Sequence, residues 1–438
     1  MLKLMLTIFL LSASVLAFAQ NSLTLKNAIE VALQNNFQIQ ITQLQSAQAK
    51  INNTWGQAGR YPSISLAMSQ GNNISDQSKN PTSFIQALLI SNSVQGGLDL
   101  NWTLFNGFAV KANKNRLAQV QEQSEGNAAV VIENTIQALI LSYYNVQIQE
   151  SKLELLRDVL QTSKNKYDYN KLKTEIGTSV SSDLLQFQNQ VLIDSASLML
   201  QEIAHRNARR NLNIIMGAES EQNYELADVL MDDFPSYDYS DLQSKMESNN
   251  QNIKNQYINE EIFRQDVLIA KSSMFPVISF NAGASGNSSS YRIADFPSQQ
   301  GANLNYYGNF SLSFNVFNGG RVKRAIQSAD IQTKINGLQI TELKQTLNRD
   351  LIRAHELYEM RKKVYALNTE SASVALKNLE IAQEKYDRGI INSFNFRDIN
   401  ITYLNTGIAS LESLYNLVDA KTDLIRLTGG LLQESASE

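Results

Sequence analysis

The sequence is unusually poor in cysteine, proline, histidine and charge. It contains no cysteine, five prolines and two histidines in 438 residues. The missing cysteine excludes disulfides, thiolate metal sites, cysteine nucleophiles and an N-terminal lipid anchor. Charged residues make up 18% of the chain, which is below the usual quarter, and the net charge is −4. This balance does not indicate a nucleic-acid partner, and the polar but uncharged surface suits a barrel wall better than a cytosolic enzyme.

The motifs of common enzyme classes are also missing. No GxSxG, P-loop or dinucleotide fingerprint occurs in the sequence. His355 and Glu356 resemble the start of a zinc-binding helix, but Glu359 stands where the second histidine would be needed. The other histidine, His205, is 150 residues away, which favours structural or solvated roles for both. The sequence therefore predicts no catalytic residue, no metal site and no cofactor.

Long apolar runs are absent after the N-terminus. Residues 1–19 are predicted to be a secretory signal, with Lys3, an apolar run over 4–18 and a small-residue cleavage site at 17–19. No later stretch reaches the roughly 18 apolar residues of a membrane helix. We therefore expect an exported chain that can enter a membrane only through β-strands.

One short segment is present twice. Leu98–Gly107 and Phe310–Gly319 both alternate strictly between apolar and polar residues and both end in Phe-Asn-Gly. This period of two predicts a strand with one apolar face and one wet face, and Asn-Gly tolerates the backbone angles of a turn. An earlier alternation precedes each copy, starting at Ile64 and at Ile278. Each pair of strands, about ten residues per strand, is predicted to be joined by a Ser/Asn/Gly-rich turn region, over 71–82 and 283–305.

Helical patterns fill the rest of the chain. Helices are predicted over 25–50, 107–175 and 181–215, and again over 238–271 and from 319 to the end, interrupted near Gly389. Two apolar stripes with alternating spacings of four and three indicate helix packing of the coiled-coil type. The first stripe contains Ile132, Ile136, Leu139, Tyr143, Val146, Leu153, Leu156 and Leu160, and the second contains Leu404, Ile408, Leu411, Tyr415 and Val418.

The landmarks of the two halves keep their spacing. Phe105 and Phe317 are separated by 212 positions, as are the glycine pairs 177/389 and 217/429. Pro62 and Pro276 are separated by 214 positions, as are the Asn-Asn pairs at 35–36 and 249–250. Such a register predicts an internal duplication, with repeats over 20–230 and 231–438.

Four strands of this kind cannot stand alone in a membrane. Each half supplies two strands, and open sheet edges do not occur in lipid. Bacterial barrels begin at eight strands, so the chain must associate: two copies would supply eight strands and three copies twelve. The long helices are too polar for lipid and must project from the membrane.

The ordered set of features resembles the TolC family of outer-membrane efflux and secretion proteins. The resemblance is carried by the two Phe-Asn-Gly strand ends, the duplicated strand-helix plan, the helix turn at 389–394 and the ending Leu427–Leu431. It implies an α+β fold in which a homotrimer forms a twelve-stranded outer-membrane barrel and a periplasmic α-helical barrel. It also implies an exit duct for efflux or type I-like secretion, docked to a periplasmic adaptor (membrane fusion protein) and an inner-membrane transporter.

The resemblance also implies a gate at the periplasmic helix turns, beside Gly177 and Gly389. Three residues match family positions counted from these glycines, namely Tyr386, Asp398 and Asp183, while Asn395 stands where the family has a second aspartate. Ile391 replaces a family arginine. A ring of three Asp398 side chains would favour cations. The other interpretation is that these residues are solvated helix positions, with Asp183 stabilised by the helix dipole.

Aromatic residues near the strand ends are predicted to form a girdle in contact with outer-membrane lipid. They are Trp102, Phe105, Phe314 and Phe317, with Tyr61, Phe280, Tyr306 and Phe310 along the strands. The alternative interpretation of these residues is that they are ordinary core aromatics. The alternative function is that of an exported trimeric coiled-coil structural protein without a pore, whose strands would form a cap. A strand face free of charge favours the membrane, because a soluble cap would be expected to carry Lys or Glu there.

Overall fold

The computed structural model describes residues 22–178, 180–230, 234–293 and 296–431. The predicted signal over 1–19 and the proposed repeat boundary at 230/231 fall on or beside residues outside this description. The strands are β1 (Ser22–Leu23), β2 (Ser63–Asp76), β3 (Leu88–Asn106), β4 (Glu225–Leu226), β5 (Val277–Ile293) and β6 (Gln299–Ser313). The helices are α1 (Leu25–Asn35), α2 (Phe37–Asn52), α3 (Ala109–Glu175), α4 (Ser181–Met216), α5 (Tyr239–Asn249), α6 (Gln251–Ser272), α7 (Arg321–Asp387) and α8 (Ser393–Leu427).

The chain divides into two compact units. The sheet unit comprises residues 45–125 and 255–340, and the helical unit comprises the described residues up to 44, 126–254 and from 341 onward. The sheet unit contains an antiparallel sheet with the strand order β2-β3-β5-β6. In the helical unit the short strands β1 and β4 pair in parallel.

The register of the sheet collects its apolar residues on one face. Leu100 lies opposite both Ile64 of β2 and Ala282 of β5, and Phe280 lies opposite Phe310 of β6. Because directly opposed residues share a face, the even-numbered positions of all four strands lie together, in β3 as far as Trp102. Most of these side chains are exposed within the chain, for example 72% for Leu66, 75% for Met68, 75% for Phe310 and 69% for Leu312. The predicted alternation is thus a real two-faced sheet with an uncovered apolar face.

The opposite face is polar and almost free of charge. Its members are mainly serine, asparagine and glycine, as in the opposed series Ser63, Asn101, Asn281 and Asn309, and the next series is Ser65, Asp99, Gly283 and Tyr307. Tyr307 Oη donates a 2.5 Å hydrogen bond to Asp99 Oδ1. Gly283 makes this contact possible, because a Cβ there would lie 2.7 Å from the same Oη.

The strands are longer than predicted: the predicted turn region 71–82 is right for 77–82 but wrong for 71–76, and the one over 283–305 is largely wrong. Strands β2, β3, β5 and β6 contain 14, 19, 17 and 15 residues, so strand structure extends through Gly71–Asp76 and over most of 283–305. The hydrogen bonds between strands use only backbone groups, so serine, asparagine and glycine can form them as well as apolar residues. A strand segment with such a solvent-facing composition cannot be told from a turn by sequence alone. β6 ends at Ser313, however, so Phe314 and Phe317 follow the strand instead of completing it.

Two predicted helices are each broken at an asparagine. Asn36 separates α1 from α2 with ψ 124°, and Asn250 separates α5 from α6 with ψ 120°, both outside the helical range. Asn250 Oδ1 accepts from the backbone N–H groups of residues 252 and 253, while Nδ2 donates to Leu427 O at 3.0 Å. Asn36 makes the same three bonds to residues 38, 39 and 215. Each asparagine therefore caps one helix and holds the end of another, which explains the repeated Asn-Asn landmark.

We expect Asn250→Ala to lower the free energy of unfolding by about 2–3 kcal/mol, because it removes a helix cap and leaves a buried carbonyl without its donor. The thermal unfolding midpoint of the purified protein measures the change. The control is Asn252→Ala, an exposed position two residues on, for which we expect less than about 0.5 kcal/mol. Equal shifts for the two variants would contradict the capping role.

The first predicted stripe is the core of the helical unit, but the second is not. From Ile136 to Leu160 the predicted residues of α3 are at most 7% exposed. In α8, only Val418 of the predicted stripe is buried, and the core is formed by the neighbouring positions Leu414, Leu417 and Leu424. Two adjacent stripes on one helix both satisfy a four-three spacing, so periodicity alone cannot tell which one faces the core.

Candidate functional site

The two tip turns, which join α3 to α4 and α7 to α8, have the same backbone. Gly177 has φ +76° and Gly389 has φ +75°, in the left-handed region that favours glycine. Thr178 N donates to Lys173 O and Ile390 N donates to Lys385 O, both at 2.8 Å. These are Schellman-type helix ends. Both predicted tip glycines are thus at helix ends that demand glycine.

Tyr386, a predicted gate residue, is buried beside the turns and bonded to the first half of the chain. It is 7% exposed, and its Oη donates to Asn170 Oδ1 at 2.9 Å. Its ring lies edge-on to Phe187 and tilted against Phe396, with centroid distances of 5.7 and 5.3 Å. Burial raises the pKa of Tyr386 to about 12, so the phenol stays protonated and remains a donor at physiological pH.

A lysine reinforces the same contact. Lys166 is 4% exposed, and its Nζ lies 2.6 Å from Asp387 Oδ1. The ammonium also lies 5.3 Å from the ring centroids of both Tyr386 and Phe396. A desolvated cation held by a carboxylate and two aromatic faces is costly to separate from its partners.

Asp183 supplies a third connection between the halves. It lies in the first turn of α4, and its Oδ1 accepts from Ser393 Oγ at 2.8 Å. Ser393 is the first residue of α8 and is 1% exposed. We name the three bonded pairs the tip latch: Asn170 with Tyr386, Lys166 with Asp387, and Asp183 with Ser393.

The other two predicted gate residues lie outside the tip latch. Asp398 is exposed and pairs with its neighbour Arg397, with 3.2 Å between Nη2 and Oδ1. Asn395 is also exposed, and its backbone N–H donates to Asn392 Oδ1, which caps α8. The single chain therefore places Tyr386 and Asp183 in separate bonds between its two halves and leaves Asp398 and Asn395 on the surface.

Four members of the tip latch were missed by sequence reasoning: Lys166, Asn170, Asp387 and Ser393. A signal for one of them exists in α3. Continuing the four-three spacing from Leu160 leads to positions 163, 167 and 170, and Ser163 and Asn170 are 2% and 1% exposed. Polar residues at positions where a core stripe requires apolar ones indicate buried hydrogen bonds.

The predicted girdle residues lie at the strand ends of the sheet unit. Trp102, on the apolar face, is 39% exposed, and Phe314 and Phe317 are 52% and 87% exposed. Phe105 is directly opposite Ile278 because the register shifts between residues 103 and 105. This bulge places an odd-numbered aromatic on the apolar face, which strict alternation would have put on the polar one.

The described parts of the chain contain neither a helix that could span a membrane nor a cluster of metal-ligating side chains. None of the described helices is long and apolar enough to cross a membrane. The described residues contain no group of three or more His, Cys, Asp or Glu side chains able to hold a metal ion. His355, considered above, has its Nε2 3.0 Å from Tyr237 O.

Comparison with known proteins identifies the family. The model of the family described as outer membrane efflux protein matches residues 28–218 and 242–430. A search of curated protein sequences gives no match.

Solved structures of outer-membrane channels share the fold. The CmeC outer membrane channel of Campylobacter jejuni matches with a TM-score of 0.71 and 16% identity over 93% of this chain and 85% of that one. The outer membrane protein VceC of Vibrio cholerae matches with 0.68 and 13% over 93% and 96%. The MtrE outer membrane channel of Neisseria gonorrhoeae, in its open state, matches with 0.71 and 15% over 93% and 89%.

The predicted fold class and family resemblance are confirmed, and neither finding supports the alternative of a structural protein without a pore. The protein is an efflux channel of the outer membrane and not an enzyme. Because the family model covers most of the chain in two successive matches, this chain belongs to the outer membrane efflux protein family.

Proposed function

We propose that three copies of this chain close one twelve-stranded barrel and together form the exit duct of an efflux assembly. The observation that carries the proposal is the four-stranded sheet, which has one apolar face, one polar face, and β2 and β6 at its edges. An open edge in lipid leaves backbone groups without partners. Pairing β6 of one copy with β2 of the next satisfies the backbone groups at both edges. Three such joints close a barrel of twelve strands, which is wide enough to enclose a lumen.

The polar face then lines the lumen and the apolar face meets lipid. Serine and asparagine on the lumen side give a wet path with little charge, which suits solutes of varied chemistry. The duct has no catalytic step, so the energy for transport must come from an inner-membrane transporter linked through a periplasmic adaptor. Two repeats, over 20–230 and 231–438, are supported by the paired cap junctions at Asn36 and Asn250.

We infer that the tip latch holds the resting duct shut. It joins the first hairpin of helices to the second through three separate bonds, and one solved relative is described as an open state. Opening therefore requires these pairs to separate. We keep Asp398 and Asn395 as proposed gate residues that act between copies, where three Asp398 carboxylates around a narrow axis would favour cations.

Engineered cysteines test the joint between copies, because the natural chain contributes none. Ser311→Cys is combined in turn with Ser63→Cys, Ser65→Cys and Ser69→Cys, all of which place the thiol on the polar face. We expect at least one pair to give dimer and trimer bands on a non-reducing gel, which collapse on reduction. The series of cross-linked bands should end at three chains.

The control is Ser93→Cys with Ser289→Cys, two residues directly opposite each other within one chain. This pair should oxidise without changing the number of chains in a band. A β6–β2 ladder that ends at two chains would contradict the trimer. No ladder from any combination, in protein that is folded and membrane-inserted, would contradict the proposed joint.

A further inference from the structure

We propose that a cleft where β3 meets α3 binds the phosphate headgroup of an anionic phospholipid. The proposal rests on the proposed function, because it requires the apolar sheet face to lie in lipid. The cleft has a volume of about 360 Å³ and lies entirely within the sheet unit. Its aromatic walls and its two cations come from residues 55–60, the end of β3 and the start of α3.

The aromatic walls contain both tryptophans of the chain. Trp55 is 36% exposed and Trp102 is 39% exposed, and they line the same cleft. Trp102 Nε1 donates to Arg60 O at 2.9 Å, which ties the segment after α2 to the strand. Tryptophan, with an apolar body and a polar N–H, is enriched where a membrane meets water.

Two cations of the cleft are free to bind an anion. The Arg60 guanidinium carbon lies 4.8 Å from the Trp55 ring centroid, and Lys111 is exposed at the start of α3. Neither forms an ion pair with a carboxylate among the described residues. The cations that follow are engaged, since Lys114 Nζ donates to Asn53 and Arg116 pairs with Asp266. Phosphate oxygens are natural partners for Arg and Lys at this position.

The cleft is continuous with the face assigned to lipid. Trp102 shares that face with Leu98 and Leu100, and Phe280 lies directly opposite Trp102. A lipid whose chains follow this face brings its phosphate to the end of β3, where Arg60 and Lys111 lie. Position and charge thus favour a phospholipid over other anions.

A strained aromatic completes the cleft. Phe108 has φ +69°, and among the described residues it is the non-glycine residue with a positive φ. Its counterpart 212 positions on is Gly320, which has φ +75° without the steric cost. Phe108 makes edge contacts with Phe105 and Phe275, with centroid distances of 5.3 and 6.2 Å. A phenylalanine in a backbone conformation that suits glycine indicates that its ring makes a contact which offsets the strain.

The second repeat lacks the same chemistry. At the offsets of 212 and 214, Trp55, Arg60 and Trp102 correspond to Ile269, Met274 and Phe314, and only Lys111 keeps its charge, as Lys323. The cleft is therefore a feature of the first repeat and is not required by the duplicated plan.

Intrinsic fluorescence tests the proposal directly, because every tryptophan signal of the full chain comes from the cleft. The purified protein in neutral detergent is titrated with short-chain phosphatidylglycerol and, separately, with phosphatidylcholine of the same chain length. We expect a saturable emission change with at least fivefold tighter half-saturation for phosphatidylglycerol. The double variant Arg60→Gln/Lys111→Gln should weaken the phosphatidylglycerol response about tenfold, which brings it near the phosphatidylcholine value.

The matched control is Lys114→Gln, one turn along the same helix, which should leave both titrations unchanged. Equal responses to the two lipids, or a double variant that binds phosphatidylglycerol normally, would overturn the proposal. Glycerol phosphate is the second probe, and a response to it as tight as the lipid response would also overturn it. The cysteine ladder described above is run on the same variants, so loss of the trimer is distinguished from loss of the lipid site.

Discussion

Lys166→Met is expected to convert the closed duct into a leaky one. The substitution keeps most of the unbranched side chain but removes the ammonium that holds Asp387 and lies over two aromatic rings. Breaking a buried ion pair costs about 3–5 kcal/mol, and the half-exposed Asp387 reduces this to roughly 1–3 kcal/mol. The closed state loses that stability, so the open fraction should rise about 5- to 150-fold, since 1.4 kcal/mol is a factor of ten. Uptake of a dye that the outer membrane normally excludes measures the change in cells.

Tyr386→Phe is expected to raise the open fraction, and therefore dye uptake, by a smaller amount. It removes only the Oη–Asn170 hydrogen bond and keeps the ring packing, which corresponds to about 0.5–1.5 kcal/mol. The control is Lys164→Met, an exposed lysine two positions before Lys166. Uptake equal to wild type in all three variants, with normal amounts of trimer, would show that the tip latch does not hold the duct closed.

Gly107→Ala is expected to prevent normal folding of the strand–helix junction. An added Cβ would lie 2.3 Å from Ser272 O and 2.8 Å from Phe275 Cβ, at a residue whose φ is +67°. Backbone atoms of a neighbouring segment cannot move away cheaply, and the left-handed conformation adds about 1–2 kcal/mol. We expect a total loss of roughly 3–5 kcal/mol and little folded protein in the membrane.

The second repeat supplies the matched control. Gly319 stands 212 positions on and has φ +65°, but a Cβ there meets nothing within 4 Å. Gly319→Ala should therefore cost only the backbone term, about 1–2 kcal/mol, and keep most of the folded yield. The readouts are the thermal midpoint and the amount of folded protein extracted from membranes. Equal losses for the two alanine variants would mean that the clash at Ser272 has no consequence.

Local patterns account for the parts of the fold that could be predicted. The alternation at Leu98–Phe105 sets the two faces of the sheet, and the helix bounds at 175 and 181 follow from Gly177 and the stripes. The extent of the strands could not be predicted, because Ser/Asn/Gly segments such as 283–293 gain their structure from pairing with β3 and β6. The bulge at 103–105 is likewise a property of the pairing.

The tip latch lay largely beyond sequence reasoning. Its three bonds join residues separated by 216, 221 and 210 positions. Tyr386 and Asp183 were reached through their distances from the tip glycines, but no local pattern indicates that Tyr386 would bond to Asn170 or Asp387 to Lys166. The roles of Asp398 and Asn395 depend on other copies of the chain and remain predictions.

The most direct test of the exit duct is single-channel recording of the purified wild-type trimer in a planar bilayer, beside Lys166→Met and Asp398→Ala. We predict a small, cation-favouring conductance in the wild type, a several-fold larger one in Lys166→Met, and a weaker cation preference in Asp398→Ala. The absence of any conductance from folded, inserted trimers of the wild type and of Lys166→Met alike would contradict the duct.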